Sequence, residues 1–180
     1  MIKNTKIVNF VGKPSSGKTN LAYSLSSSLK QRNYDFEYVD ECVKFLIYEE
    51  SILSTNQIYI LSEQLKKILC LYGKVDYIIC DSPLFLSTIY AKDYLINNID
   101  YPQSFDLFVL ELFNKFNNEI ILVDSNFEYV QKGRNENAND ANLVQDKIKS
   151  YLNENNLIYH TYNNELSDIY DYCIENKIIF

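Results

Sequence analysis

The sequence predicts an α/β protein in three layers: a parallel sheet of five strands with helices on both faces. Three observations carry that prediction. Lys6–Val11, Val75–Asp81 and Glu119–Asp124 have apolar interiors, as strands buried on both faces must. Between them lie stretches with apolar residues at helical spacing, so strands and helices alternate. A glycine-bounded turn, Gly12-Lys13-Pro14-Ser15-Ser16-Gly17-Lys18-Thr19, joins the first strand to the first helix.

Taken in order, Lys6–Val11 is the first strand, and Leu21, Leu25 and Leu29 mark one face of the helix beyond the turn. Tyr34–Val39 reads as a second strand ending at Asp40-Glu41. Helical spacing returns over residues 42–52 and 56–72, and Gly73 is placed to stop the second of these helices. Val75–Asp81 is the third strand. Pro83 then holds Ser82 out of the helical region and is suited to open the next helix. Residues 84–97 and 103–117 read as helices, Glu119–Asp124 as the fourth strand and 131–141 as a polar loop. A helix over 141–155, a short fifth strand at Leu157–His160 and a helix over 164–176 close the chain. No repeat, low-complexity tract or Pro/Gly linker divides it, so one domain over 1–180 is expected. Ligands of such sheets sit beyond the carboxyl ends of the strands. Asp40-Glu41, Asp81-Ser82 and the loop after Asp124 therefore converge on the glycine turn.

That turn has the pattern G-x-x-x-x-G-K-T of a phosphate-binding loop, in the strand–loop–helix setting the motif requires. Gly12 and Gly17 let the backbone fold around an anion, and the N–H groups from Lys13 to Asn20 face the phosphates of a nucleotide. Lys18 would bridge the β- and γ-phosphates and the Thr19 hydroxyl would ligate Mg²⁺. A nucleoside triphosphate and Mg²⁺ are thus the expected ligands of the loop.

Composition narrows the field. Net charge is −7, which opposes a broad footprint for nucleic acid but leaves room for a local basic groove. Four cysteines without a C-x-x-C pair, and His160 as the single histidine, oppose a zinc site or Cys/His catalysis and suit reduced, mostly buried thiols. No apolar run approaches the roughly 20 residues of a membrane span, and the amino terminus opens no signal peptide, so a cytoplasmic chain without a membrane partner is expected.

Asp81 ends an apolar strand, where an acid helps to hold Mg²⁺ through water; the same residue is also placed to cap the helix after Pro83. Asp40 or Glu41 would take a proton from an acceptor hydroxyl or bind the acceptor, or else form a solvated acid pair; the sequence does not say which faces inward. Arg134, in Lys132-Gly133-Arg134, would neutralise a transferring phosphoryl group from a lid loop at about 129–141. Arg32, the other arginine, falls at the far end of the first helix. Asn56, Gln57 and Gln64 are either readers of a base or carboxamide or plain helix-surface polars. Tyr90, Tyr94 and Tyr129 are candidates to stack on a ring.

On these residues the chain resembles the small P-loop kinases of the nicotinamide-riboside kinase type, the NadR-like AAA group. It resembles still more closely the short AAA-family ATPases of tailed bacteriophages. The likeness rests on Gly12–Thr19, Val39-Asp40-Glu41, Gln57 with Gln64, Asp76–Leu84 and Lys132-Gly133-Arg134. It implies a nucleoside/nucleotide kinase-like P-loop NTPase fold and transfer of the γ-phosphate of Mg-ATP to a small nucleoside- or nucleotide-like acceptor. An ATPase or nucleotide switch acting through a partner, or a phage kinase acting on hydroxymethylated bases in DNA, is the alternative. The arginine-rich lid of many nucleotide kinases is thinned here to Arg134.

Overall fold

A computed structural model describes residues 2–94, 100–124, 138–163 and 168–180, with backbone only for 138–142. Five strands form one parallel sheet: β1 (Lys6–Val11), β2 (Phe36–Val39), β3 (Tyr77–Cys80), β4 (Asn117–Val123) and β5 (His160–Tyr162). Their order is β2-β3-β1-β4-β5. The helices are α1 (Lys18–Gln31), α2 (Val43–Tyr48), α3 (Gln57–Leu71), α4 (Leu86–Ala91), α5 (Ser104–Phe113), α6 (Ala138–Glu154) and α7 (Ile169–Glu175), with a 3-10 turn at Ile52–Thr55.

β1 shows why the sheet is central. Ile7 and Val11 pack into a core shared with α3, α4, α5 and α6, while Val8 and Phe10 pack into another with α1 and α7. Alternate side chains feed opposite faces, so a strand between two helical layers is apolar throughout. Asn9 is the exception. It is buried, and its amide donates to the Asn118 side chain at 2.9 Å and to the Glu119 carbonyl at 3.2 Å. The α1–α7 layer is tied at its rim by Arg32, whose guanidinium lies 3.8 Å from the centre of the Tyr170 ring.

Several element ends differ from the sequence reading, each for a local reason. α2 stops at Tyr48 because Glu50 turns left-handed (φ 52°) and Ser51 accepts the Leu53 N–H to start the 3-10 turn. The helix expected over 103–117 ends at Phe113, where the Asn118 amide donates to the Phe113 carbonyl at 2.6 Å and turns the chain into β4. Helix α4 begins three residues after Pro83 rather than at it and ends at Ala91; residues 95–97 of its expected span lie outside the described residues. Residues 138–140, expected in the polar loop, are the start of α6. β5 lies two to three residues later than expected: Asn156 is left-handed after α6, and the strand pairs with β4 only from His160 to Tyr162. Its last residue, Tyr162, then packs against Tyr172. Residues 164–167 of the closing helix lie outside the described residues. Gly73 does end α3, at φ 82°. Among the described residues no helix is long and apolar enough to cross a membrane.

Burial raises the phenols of Tyr38, Tyr77, Tyr101, Tyr151, Tyr162 and Tyr172 above their ordinary value. The unfolded chain gives up these protons first, so stability is present below the unfolded value of 10.0 and falls as pH rises past it. The buried thiols of Cys80 and Cys173 are raised from 9.0 in the same way. Thermal unfolding should therefore show a constant midpoint only from pH 7 to about 8, a decline from about 9 and a steeper one beyond about 10.

Candidate active site

At the carboxyl end of β1 the backbone of Gly12 lies against the end of β4. A Cβ at Gly12 would stand 2.6 Å from the Val123 carbonyl oxygen, so only glycine fits. Ser15 (φ 65°) and Gly17 (φ 90°) adopt left-handed backbone, which turns a short loop back on itself and gathers its amides. The Lys18 ammonium donates to the carbonyls of Gly12 and Lys13, both at 2.8 Å, and so folds over the loop. Two loop amides are engaged by protein: Ser16 N–H by the Lys13 carbonyl at 3.2 Å, and Lys13 N–H by the Gln145 side chain at 2.6 Å. Pro14 and Ser16 are buried; Thr19 and Asn20 lie exposed on the first turn of α1.

Asp81 stands one residue past β3 and is 5% exposed. Its Oδ2 accepts the Thr19 hydroxyl at 2.9 Å and the Tyr38 hydroxyl at 2.8 Å. These are hydroxyl partners and not the amides of a helix start, so the geometry is not that of a cap. Its Oδ1 is buried with no hydrogen-bond partner among the described residues. A buried carboxylate oxygen left bare is costly unless a cation or its water meets it. With the Thr19 hydroxyl beside it, this donor set fits Mg²⁺. No group of three His, Cys, Asp or Glu side chains gathers among the described residues, and Mg²⁺ characteristically uses one or two carboxylates plus substrate oxygens.

Tyr38 was not singled out from the sequence. The available signal was strand alternation, which points every second β2 residue to one face. Burial first, then the charge of Asp81, raises its phenol well above the ordinary range, so it stays a donor.

The adjacent acids separate. Asp40 accepts the Lys67 ammonium from α3 at 2.6 Å, and that ammonium also meets the Asp40 carbonyl at 3.0 Å. Asp40 borders one cavity and Glu41 borders that cavity and a second. The shared one, of about 310 Å³, also carries Thr19, Tyr23, Tyr38, Lys44 and Asp81. The other, with room for about 30 Å³, lies among α2, α3 and α4 and is walled by Ser54, Gln57, Ser82, Ser87, Tyr90 and Tyr94. Gln57 thus reaches a cavity, whereas Gln64 is buried against the Cys80 thiol at 3.3 Å. Asn56 caps α3 by accepting the Tyr59 N–H. Tyr90 and Tyr94 stack with centres 6.3 Å apart. Arg134, Lys132, Gly133 and Tyr129 lie outside the described residues.

Cys80 and Cys173 are buried and Cys42 half-buried, but Cys70 is exposed, so the thiols are less uniformly buried than expected. Burial pushes Cys80 and Cys173 up to about 12.

Comparison with known proteins adds a family and a fold. The model of an AAA domain family matches residues 7–167. No curated protein matches significantly. Among solved structures, thymidylate kinase from Ehrlichia chaffeensis superposes with a TM-score of 0.61 at 16% identity, covering 97% of this chain and 98% of that one. Deoxyadenosine kinase from M. mycoides, solved with bound dATP, superposes with a TM-score of 0.60 at 18% identity, covering 96% and 98%. At such identities the likeness shows the fold, an α/β P-loop NTPase sheet with helices on both faces.

Tripolyphosphate is a minimal probe of this geometry. Asp81→Asn should abolish its magnesium-dependent uptake in calorimetry. Tyr38→Phe should weaken that uptake by at most about 1.5 to 3 kcal/mol, the value of a hydrogen bond to a charged group. Unchanged magnesium dependence in Asp81→Asn would remove the carboxylate from cation binding.

Proposed function

The chain belongs to the AAA-domain family, and from that premise we propose that it is a kinase, moving the γ-phosphate of Mg-ATP to a hydroxyl of a small nucleoside- or nucleotide-like acceptor. One observation carries the reading. Glu41 borders both the cavity that reaches Thr19 and Asp81 and the cavity walled by Gln57 and the two stacked tyrosines.

In this reading Gly12–Asn20 bind the polyphosphate. Lys18 and Arg134 neutralise charge on the transferring group, and Thr19 and Asp81 would hold Mg²⁺, which would supply positive charge against the phosphate oxygens. The acceptor oxygen forms a bond to the γ-phosphorus as the bond to the β–γ bridging oxygen breaks. The acceptor proton passes to the Glu41 carboxylate, and ADP leaves. Asp40, tied to Lys67, helps to set the end of β2.

The acceptor cavity offers hydroxyls, an amide and aromatic rings, and its described lining includes no cation. That chemistry suits an uncharged sugar and base better than a phosphate. The space of about 30 Å³ is roughly that of one water molecule, so α2 and the Tyr90–Tyr94 wall must part to admit a base. The finer likenesses, to the nicotinamide-riboside kinase type and to phage proteins, belong to the same proposal, as do a single domain over 1–180 and a cytoplasmic setting.

A second reading draws on the larger cavity. Tyr23, Phe45 and Tyr48 on its walls are each more than half exposed, and exposed rings stack on bases. This favours a polynucleotide acceptor, such as DNA with hydroxymethylated bases, over a free nucleoside.

Labelled ATP incubated with nucleosides, nucleotides and hydroxymethylated duplex DNA distinguishes these. Labelled nucleoside is the expected product; phosphate release without any labelled acceptor would make the protein an ATPase. Lys18→Ala should lose turnover while keeping its melting temperature. Glu41→Gln should lower turnover by about 10²-fold or more with ATP affinity unchanged, as removal of a general base does. Arg134→Ala should depress turnover more than ATP affinity.

A further inference from the structure

Gln145, on α6, belongs to none of the roles above, yet its side chain joins α6 to the phosphate loop. It is 6% exposed. Its side-chain carbonyl accepts the Lys13 N–H at 2.6 Å. Its amide group lies 3.4 Å from both the Val123 carbonyl and the Asp124 Oδ1. One turn on, Lys149 donates to the other oxygen of Asp124 at 2.9 Å, so α6 grips the end of β4 with two side chains. The Val123 carbonyl is also the atom against which Gly12 is packed. A single buried amide therefore joins the first turn of the loop to the strand end on which that turn rests.

We propose that Gln145 is a positioning residue for polyphosphate binding: it holds the Gly12–Lys13 turn on the end of β4, and in doing so occupies the Lys13 amide. The inference rests on the reading of Gly12–Thr19 as a polyphosphate site. It has two consequences. Phosphates are gripped by loop amides beyond Lys13, and not by Lys13 N–H itself. Loss of the Gln145 amide loosens the loop for any polyphosphate, whatever is attached to it, because the effect lies in the loop and not in base or acceptor contacts.

The test compares ATP with plain tripolyphosphate, each titrated with magnesium into wild-type protein and Gln145→Met, which keeps the side chain's length and removes its hydrogen bonds. Affinity for both ligands should fall by the same factor, about tenfold for one lost hydrogen bond at a polar site, with turnover at saturating ATP little changed. Equal affinities in variant and wild type would overturn the proposal, as would a loss confined to ATP. If the wild-type protein binds neither ligand, it is the polyphosphate reading that fails. A measurement on the wild type alone guards against a variant that does not fold. The Lys13 amide should be protected from hydrogen exchange in the free protein, with little further protection when tripolyphosphate binds. A Lys13 amide that exchanges freely until tripolyphosphate is added would overturn the assignment.

Discussion

The contact between the Gly12 backbone and the Val123 carbonyl governs the rest of the molecule. It is closer than any side chain permits, and it fixes the phosphate loop on the seam between two adjacent strands, β1 and β4. Everything that faces the loop is then placed by sheet order. β3 lies on the other side of β1 and presents Asp81; β2 lies beyond it and presents Tyr38 and Glu41. Parallel strands bring all these ends to one edge, so side chains far apart in sequence meet without a long loop to carry them.

Within that edge, hydrogen bonding sorts groups of like chemistry. Asp40 and Glu41 are neighbours of the same charge, but Asp40 pairs with Lys67, while Glu41 borders the smaller cavity as well as the larger one that both acids line. Gln57 and Gln64 share a helix face and are both buried, but a thiol occupies Gln64 while Gln57 borders the small cavity. In Asp81 the sorting occurs within one side chain. Two hydroxyls fill Oδ2, and the other oxygen is buried without a donor among the described residues. Such a group is stable chiefly in company with a cation and its water, which is why a strand end of this kind is suited to a metal-bound phosphate.

How much of this could be read in the sequence depended on how local each signal is. The loop was legible because its geometry is written in consecutive residues, and the central strands because burial on both faces leaves apolar runs. Strand and helix ends were less so. Asn118 stops α5 by reaching back to Phe113, and β5 takes its register from pairing with β4, neither of which has a local signature. The site followed the same rule. Asp81 was marked by its place at a strand end, but the pairing that sets Asp40 apart from Glu41 involves Lys67, 27 residues away from Asp40. Tyr38 was hidden among sixteen tyrosines, and Gln145, 132 residues from its partner Lys13, had no sequence signal at all.

The sheet order has one more effect, on how molecules meet. The two border strands are short: β5 has three residues, and β2 has four, as interior β3 does, with the charged Glu37 facing water. Borders so brief and charged offer a foreign strand little backbone to latch onto, which guards a parallel sheet against edge-to-edge growth. Contacts between copies of this protein would therefore run across helical surfaces, such as the one where α5 turns Leu107 and Phe108 outward.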